Sequence, residues 1–284
     1  MKTTAPGVLA ALALALASAT APVAAASAPR GAGWAPAGSA TITPGVQMFT
    51  RGAQCTGNFV FRDGAGRTYV GYAAHCAGRG AATDTDGCRT RSVPLGTSVR
   101  FAHGATAATG GDTVGQGSLA YSSWRTMRSR GGGSGPACAA NDFALVRVDA
   151  GDVRKVNPSV PFWGGPTGVS RSAPTGTRVH SYGSSSLRPT ELLSPRTGAS
   201  LGRTHGGWGF DAFTATPGIP GDSGSGFLDA RGRAVGTLST VAVAPVAGSN
   251  GLGSLARELD YAQAHSGLAG LRLVRGTRDF SPLP

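Results

Sequence analysis

The chain has 284 residues, of which 46 are glycine and 40% are hydrophobic, and its formal net charge is +12. This length allows one or two domains and a substantial buried core without a cofactor. No arginine run alternates with aromatic residues as a nucleic-acid groove requires, so we expect no nucleic-acid partner. Solubility and a compositional bias toward Arg, Ala and Gly explain the positive net charge better than binding to an anionic cell-wall polymer does.

The beginning of the chain has the three parts of a secretory signal. Lys2 gives a positive start, residues 8–17 are an apolar run, and residues 24–26 form a small-residue cleavage site, with 17–19 as an alternative. The apolar run is too short and too interrupted for a membrane span. We therefore predict a signal peptide over residues 1–26, a secreted extracellular protein and no stable membrane association. An uncleaved signal that anchors the protein is the competing interpretation.

Residues 27–41 are rich in Ala, Pro, Gly and Ser, which is typical of a short disordered pro-segment or spacer. Beyond it, apolar and β-branched runs separated by Gly-rich turns predict β-strands. The predicted strands cover residues 57–61, 68–74, 93–102, 117–127, 142–148, 176–183, 192–203, 207–216, 226–228 and 234–243.

One helix is predicted over residues 254–265. Leu255, Leu259 and Ala262 share a face at helical spacing. Ser254 can cap the first turn. The last stretch, residues 266–284, is a tail whose role the pattern does not indicate.

The stretch from Pro220 to Gly226 reads Pro-Gly-Asp-Ser-Gly-Ser-Gly and carries the clearest chemical signal. A nucleophilic serine needs an exposed hydroxyl, a base and donors for the oxyanion that it creates. Glycines permit a tight backbone path, which can direct the N–H groups of Gly221 and Ser223 at one spot beside the Ser223 hydroxyl. The same residue types are common in surface turns, so this stretch alone does not distinguish a catalytic serine from a surface turn.

Two further stretches contain a histidine and a carboxylate that could serve this serine. His75 lies in Ala-Ala-His-Cys after an apolar run, and Asp142 opens Asp-Phe-Ala-Leu-Val. The order His, Asp, Ser is that of the chymotrypsin-type triad, whereas subtilisins and α/β-hydrolases use other orders. Together the three stretches resemble the trypsin/chymotrypsin-like serine peptidases, specifically their secreted actinobacterial branch, over residues 42–265.

This resemblance implies an all-β fold of two packed antiparallel β-barrels with a C-terminal helix. The first barrel is expected over about residues 42–150, the second over about 160–250 and the helix over 254–265. Relatives begin their mature chain with Ile at a similar distance before a cysteine, so Ile42 is the candidate mature N-terminus of a zymogen. We expect a monomer that acts on protein or peptide substrates and uses no cofactor.

The cysteines are Cys55, Cys76, Cys88 and Cys138, which allow three pairings. Export makes disulfides possible. The resemblance places a bridge beside the catalytic histidine, which implies Cys55–Cys76 and leaves Cys88–Cys138. There is no Cys-x-x-Cys and no histidine spaced to complete a metal site, so we expect no bound metal.

The resemblance also assigns the catalytic roles. Ser223 is the nucleophile, His75 the general base, and Asp142 the group that orients and stabilises the imidazole. The Gly221 and Ser223 amides form the oxyanion hole. Asp222 is expected to be structural and buried against a positive partner, for which the sequence leaves open the new amino group of Ile42 or an arginine or histidine such as Arg178 or His180.

A strand that resembles one wall of the specificity pocket follows the nucleophile turn. The pocket residues implied by the resemblance are Pro217, Pro220, Ser239, Thr240 and Val241. The Ser239 hydroxyl can also bond the triad aspartate. Val241 falls where wide-pocket relatives carry glycine, and no acidic residue matches the pocket base that confers cleavage after Arg or Lys. These features predict a restricted pocket for small or medium apolar side chains.

The predicted function is a secreted serine endopeptidase that hydrolyses peptide bonds through an acyl-enzyme on Ser223. A catalytically inactive protease scaffold used for binding is one alternative, and the presence of all three triad residues argues against it. A secreted esterase with the same triad is the other. The residue order and the cysteine beside His75 favour the peptidase.

Overall fold

The computed structural model describes residues 1–2, 33–80, 84–241 and 246–283. Most of the predicted signal peptide and the end of the predicted strand 234–243 therefore lie outside the described residues. Within the described part of the chain, no helix is long and apolar enough to cross a membrane.

The first half of the chain forms an antiparallel sheet. Its strands are β1 (Gln47–Thr50), β2 (Ala53–Thr56), β3 (Val60–Arg62), β4 (Thr68–Tyr72), β5 (Ser98–His103), β6 (Asp112–Ser122) and β7 (Ala144–Val148). Their hydrogen-bonded order is β3-β4-β7-β6-β5-β1-β2. Branched and aromatic side chains such as Val70, Phe101 and Val146 form the core of this sheet. Two short helices, α1 (Ser123–Ser129) and α2 (Pro136–Ala140), lie in the connection from β6 to β7.

The second half forms a closed barrel. Its strands are β8 (Arg178–Tyr182), β9 (Pro195–Thr204), β10 (Gly209–Thr214), β11 (Gly226–Asp229), β12 (Ala234–Val241) and β13 (Asn250–Ser254). They close in the order β10-β13-β12-β11-β8-β9. Closure leaves no free strand edge, and Phe210, Phe227 and Leu238 are among the side chains that fill its core.

The last elements lie across both sheets. Helix α3 (Leu255–His265) buries Leu255, Leu259 and Ala262 in a cluster with Phe143 of the first half and Leu228 of the barrel. This is the helix and the apolar face that the sequence predicts. Ser254 occupies the N-cap position, but its side chain makes no capping hydrogen bond.

The tail beyond α3 is part of the folded unit. Its strand β14 (Arg272–Leu273) pairs with β3 and completes an eight-stranded sheet in the described residues. Further along, Phe280 packs edge-on against His180 of the barrel, with ring centroids 5.4 Å apart. The tail therefore ties the first sheet to the barrel, which its sequence did not indicate.

The prediction of an all-β chain with a C-terminal helix is confirmed. The second β unit closes into a barrel, whereas the hydrogen-bonded order of the first sheet ends at β2 and β14. The prediction that a strand continues to residue 127 is wrong, because the chain turns into α1 after Ser122. The Ser122 side chain accepts from the N–H of Arg125, and Trp124 and Met127 are both buried. Strands β1, β2, β13 and β14 had no predicted counterpart.

Residues 33–41, expected to be disordered, are instead packed against the domain. The N–H of Ala35 donates to the Val156 carbonyl at 3.0 Å, and Asn157 Nδ2 donates to the Ala35 carbonyl at 2.6 Å. The guanidinium of Arg62 lies 4.3 Å from the centre of the Trp34 ring. Ile42 follows as a fully buried residue whose N–H donates to the Lys155 carbonyl.

Candidate active site

Asp142 and His75 are brought together by two segments of the first sheet. His75 lies in a short 3-10 turn, Ala74–Ala77, directly after β4, and Asp142 lies between α2 and β7. Asp142 Oδ2 is 2.6 Å from His75 Nδ1, and Asp142 Oδ1 accepts the backbone N–H of His75 at 2.8 Å. The carboxylate therefore fixes both the ring and the main chain of the histidine.

Ser239 contributes a third contact to the same carboxylate. Its hydroxyl donates to Asp142 Oδ2 at 2.6 Å, from β12 in the barrel. The side chain of Asp142 is almost fully buried, and burial by itself would raise the pKa of the carboxyl. His75 and the Ser239 hydroxyl outweigh that effect, so the pKa of Asp142 is lowered. The group carries its charge at neutral pH.

The same pair changes the basicity of His75. Burial opposes a charge on the ring and is the largest single influence on its pKa. The charge of Asp142 and its hydrogen bond act in the other direction and together prevail, so the pKa of His75 is raised above 6.5. The His75 side chain keeps 22% of its surface exposed.

The Ser223 turn lies against the segments that hold His75. Ser223 accepts the N–H of Thr56 on its carbonyl at 2.8 Å. The next residue, Gly224, has φ +90, and an added Cβ would lie 2.5 Å from the Thr56 carbonyl and 2.8 Å from the N atom of Ala73. Only glycine fits this close approach. Among the described residues, no hydrogen bond joins the Ser223 hydroxyl to the His75 ring, and such bonds often form only with substrate bound.

Gly221 has the backbone path that the sequence predicts. Its φ is +97, and an added Cβ would lie 2.1 Å from Gln54 Oε1. Its carbonyl accepts from Gln54 Nε2 at 3.1 Å and from Thr56 Oγ1 at 2.8 Å. In the described chain the N–H groups of Gly221 and Ser223 have no protein acceptor. Both N–H groups are therefore free to donate to another acceptor.

Asp222, between these two residues, is fully buried and paired with arginine. Its carboxylate accepts from Arg188 through both Nε, at 3.3 Å, and Nη2, and Arg196 Nη1 lies 3.7 Å away. The backbone N–H groups of Ser185 and Ile219 donate to the same carboxylate. Burial, the largest influence, lowers the pKa of Arg196 to about 10, and Asp222 opposes that shift.

The partner of Asp222 is an arginine, one of the kinds that the sequence left open, but neither Arg178 nor His180 takes this role. In the intact chain the Ile42 nitrogen is a peptide N–H, which donates to the Lys155 carbonyl, and Arg178 is exposed. His180 packs beside Trp163, where burial and the charge of Arg178 lower its pKa to about 4. The two guanidinium groups belong to Arg196 in β9 and to Arg188 in the loop before β9. Both residues are far from Asp222 in the chain, so the sequence could not indicate this pairing.

The disulfides join the cysteines in the expected pairs, Cys55–Cys76 and Cys88–Cys138. Cys76 adjoins His75, and Cys138 lies in α2 four residues before Asp142. Each pair lies close to an additional potential metal ligand, His75 in one case and Asp86 in the other. Because the sulfurs are bonded to each other, neither pair offers the thiolates that such a site needs.

The expected pocket residues have different surroundings. Ser239 is directed at Asp142, whereas Val241 is 46% exposed at the end of β12. Pro217 and Pro220 flank Gly218, whose N–H donates to Asn250 Oδ1 at 2.9 Å. Residues 242–245 lie outside the described residues.

Four buried polar residues around the site were missed from the sequence: Arg188, Arg196, Asn250 and Glu258. A signal existed for Glu258, because it interrupts the apolar face of α3 at the spacing of Leu255, Leu259 and Ala262. Asn250 stands among glycines and offers no such pattern. The arginines look like ordinary surface charges in a chain that carries many.

Comparison with known proteins gives structural likenesses. No protein-family model matches the chain, and no curated protein sequence matches it. Solved structures similar to it include Thermobifida fusca protease A, with 21% identity, a TM-score of 0.48, and 83% of this chain and 99% of that chain covered. Nocardiopsis protease has 19% identity and a TM-score of 0.48, covering 82% and 98%. Cellulomonas bogoriensis chymotrypsin has 19% identity and a TM-score of 0.46, covering 82% and 98%. Identities and TM-scores this low carry no argument about the candidate site. The chemistry of the site therefore rests on its own contacts.

The buried pair of Asp222 and Arg188 can be tested by substitution. Arg188→Met removes one of the two arginines that neutralise the buried Asp222 carboxylate. We expect the free energy of unfolding to fall by about 3 kcal/mol. The matched control is Arg171→Met, which breaks the exposed Arg171–Asp260 pair, and we expect a much smaller loss there because solvent screens the two charges. Urea denaturation measures both. Equal losses in the two variants would contradict a structural role for the buried pair.

Proposed function

We propose that this chain is a serine endopeptidase, secreted and made as a zymogen, that hydrolyses peptide bonds through an acyl-enzyme on Ser223. The observation that carries the proposal is the Asp142 carboxylate, which holds both the ring and the backbone of His75 beside the Ser223 turn. A partly exposed imidazole with a raised pKa, near a serine turn in which the Gly221 and Ser223 amides have no protein acceptor, is what acyl transfer needs.

In this mechanism His75 Nε2 takes the proton of the Ser223 hydroxyl as its oxygen attacks the scissile carbonyl. The tetrahedral oxyanion accepts hydrogen bonds from the N–H groups of Gly221 and Ser223. His75, now charged against Asp142, passes its proton to the leaving amine, and the C–N bond breaks. Water, deprotonated by His75, then attacks the acyl-enzyme and restores the serine.

The Ser223→Ala variant tests the nucleophile. We expect peptide hydrolysis to fall by at least about 10⁴-fold, because no other hydroxyl can form the acyl-enzyme. A fluorophosphonate probe should label the natural chain once and leave the variant unlabelled. Ser129→Ala, at an exposed position in α1, is the control and should keep both activity and label. Labelling of the Ser223→Ala variant, or hydrolysis of esters without amides, would favour another function.

The pH dependence of kcat/KM tests the base. Hydrolysis requires neutral His75, so kcat/KM should rise with pH through a midpoint above 6.5, since the pKa of the ring is raised. Asp142→Asn removes the charge that raises this pKa, and the midpoint should move to lower pH while kcat falls by about 10⁴-fold. Asp260→Asn, at an exposed carboxylate, should leave the profile unchanged. A profile that does not move in Asp142→Asn would exclude the assigned pair.

We further propose a preference for small or medium apolar residues on the acyl side of the cleaved bond. This proposal is supported by Val241, which stands where wide-pocket relatives carry glycine, and by the prolines Pro217 and Pro220 just before the nucleophile in the chain. Digestion of a peptide library, read by mass spectrometry, measures the preference. The Ser223→Ala variant supplies the background. Cleavage after Arg or Lys would refute the restricted pocket.

A further inference from the structure

A second carboxyl group lies beneath the Asp142–His75 pair. Glu258 of α3 is fully buried, and its Oε1 accepts the backbone N–H of Asp142 at 3.2 Å. Its Oε2 accepts the hydroxyl of Thr237 at 3.0 Å. This side chain therefore contacts the main chain of the residue whose carboxylate holds His75.

The surroundings of Glu258 are shaped to receive a carboxyl. At Gly253, an added Cβ would lie 2.0 Å from Glu258 Oε1, so the strand beneath the carboxyl has no room for a side chain. Thr237, which donates to Glu258, accepts in turn from Asn58 Nδ2 at 3.4 Å. A polar path thus runs from the first sheet through the barrel and α3 to Asp142.

No basic side chain compensates Glu258 within the described residues. Two ionisable groups face Glu258: Asp142 from the segment before β7, and the buried, unpaired hydroxyl of Tyr121 from β6. Tyr261 of α3 lies near Tyr121, and His75 lies beyond Asp142. Burial, followed by the charge of Asp142, raises the pKa of Glu258 to about 8. The carboxyl is therefore mostly neutral at pH 7, and Asp142 keeps the one full negative charge of this buried cluster.

We propose that Glu258 is a positioning residue. It accepts the backbone N–H of Asp142 and thereby keeps the Asp142 carboxylate at hydrogen-bond distance from His75. This role rests on the proposed function, because the pair it supports is the candidate triad. A neutral carboxyl oxygen keeps lone pairs for the Asp142 N–H, so the contact does not need a charge. Loss of the acceptor would leave a buried N–H unpaired directly behind the catalytic carboxylate.

Two substitutions separate the acceptor from the volume of the side chain. In Glu258→Gln, the amide oxygen can still accept from Asp142, and we expect kcat and KM within about twofold of the natural protein. Glu258→Met keeps a side chain of similar length without a hydrogen-bond acceptor. We expect kcat to fall at least about tenfold with KM little changed, because the lost contact supports the transition state and not substrate binding. Leu259→Ala, on the same buried face without a contact to Asp142, should lower the melting temperature and leave kcat unchanged.

An activity-independent measurement keeps this proposal distinct from the proposed function. In the Ser223→Ala background, NMR of the His75 Nδ1 proton reports the geometry of the Asp142–His75 bond. We expect Glu258→Met to shift this resonance and Glu258→Gln to leave it close to its original position. An unchanged resonance and an unchanged kcat in Glu258→Met would overturn the positioning role. Absence of hydrolysis by the natural chain would overturn the proposed function, while the resonance would still decide the role of Glu258.

The ionisation of Glu258 gives a second test, in stability against pH. The unfolded carboxyl ionises near its ordinary pKa of 4.5, whereas the folded one does so near 8. The folded state is thus favoured most below pH 4.5, and this contribution is lost progressively as pH rises toward 8. Relative to the natural protein, Glu258→Gln should therefore gain melting temperature between pH 4.5 and pH 8. A constant difference between the two proteins over this range would show that Glu258 is not held neutral.

Discussion

The structure depends on one buried carboxylate, that of Asp142. A charge away from water is tolerated only where hydrogen bonds and an opposite charge replace its hydration. Asp142 obtains these from the His75 turn of the first sheet and from Ser239 of the barrel, while its own N–H is taken by Glu258 of α3. The carboxylate and the backbone N–H of Asp142 are both satisfied only when the two sheets and the last helix are in place. The same packing that completes the fold therefore sets the histidine.

A second buried carboxylate stabilises the opposite side of the candidate site by different means. Asp222 is neutralised by guanidinium groups, not by an imidazole, and its neighbours are the two residues whose amides are unpaired. Gln54 and Thr56 hold the Gly221 carbonyl from the first sheet. The turn is thus fixed from both halves of the molecule before any ligand arrives. In the proposed function, preorganised donors of this kind would cost no rearrangement when charge develops on a substrate.

Elements with a strong local pattern were predictable from sequence, and those without one were not. Helix α3 follows from the spacing of Leu255, Leu259 and Ala262, and most strands follow from short β-branched runs between Gly-rich turns. Strand β13 contains glycines and a buried asparagine, and it exists because β10 and β12 offer it partners on both sides. Helix α1 replaces a predicted strand because Ser122 caps it and Trp124 and Met127 are buried. In each failure, tertiary contacts outweighed local preference.

The sequence by itself determined the all-β class, the last helix and the candidate residues His75, Asp142 and Ser223, because short motifs and periodic patterns are local properties of the chain. Only the tertiary structure decided which charges meet. It selected Arg188 and Arg196 for Asp222, placed Glu258 behind Asp142, and joined the tail to both β3 and His180. These contacts join residues far apart in the chain, and any of the many arginines could have supplied the positive charge. The free-energy cost of burying an unpaired carboxylate selects the partner, and that cost arises only once the chain is folded.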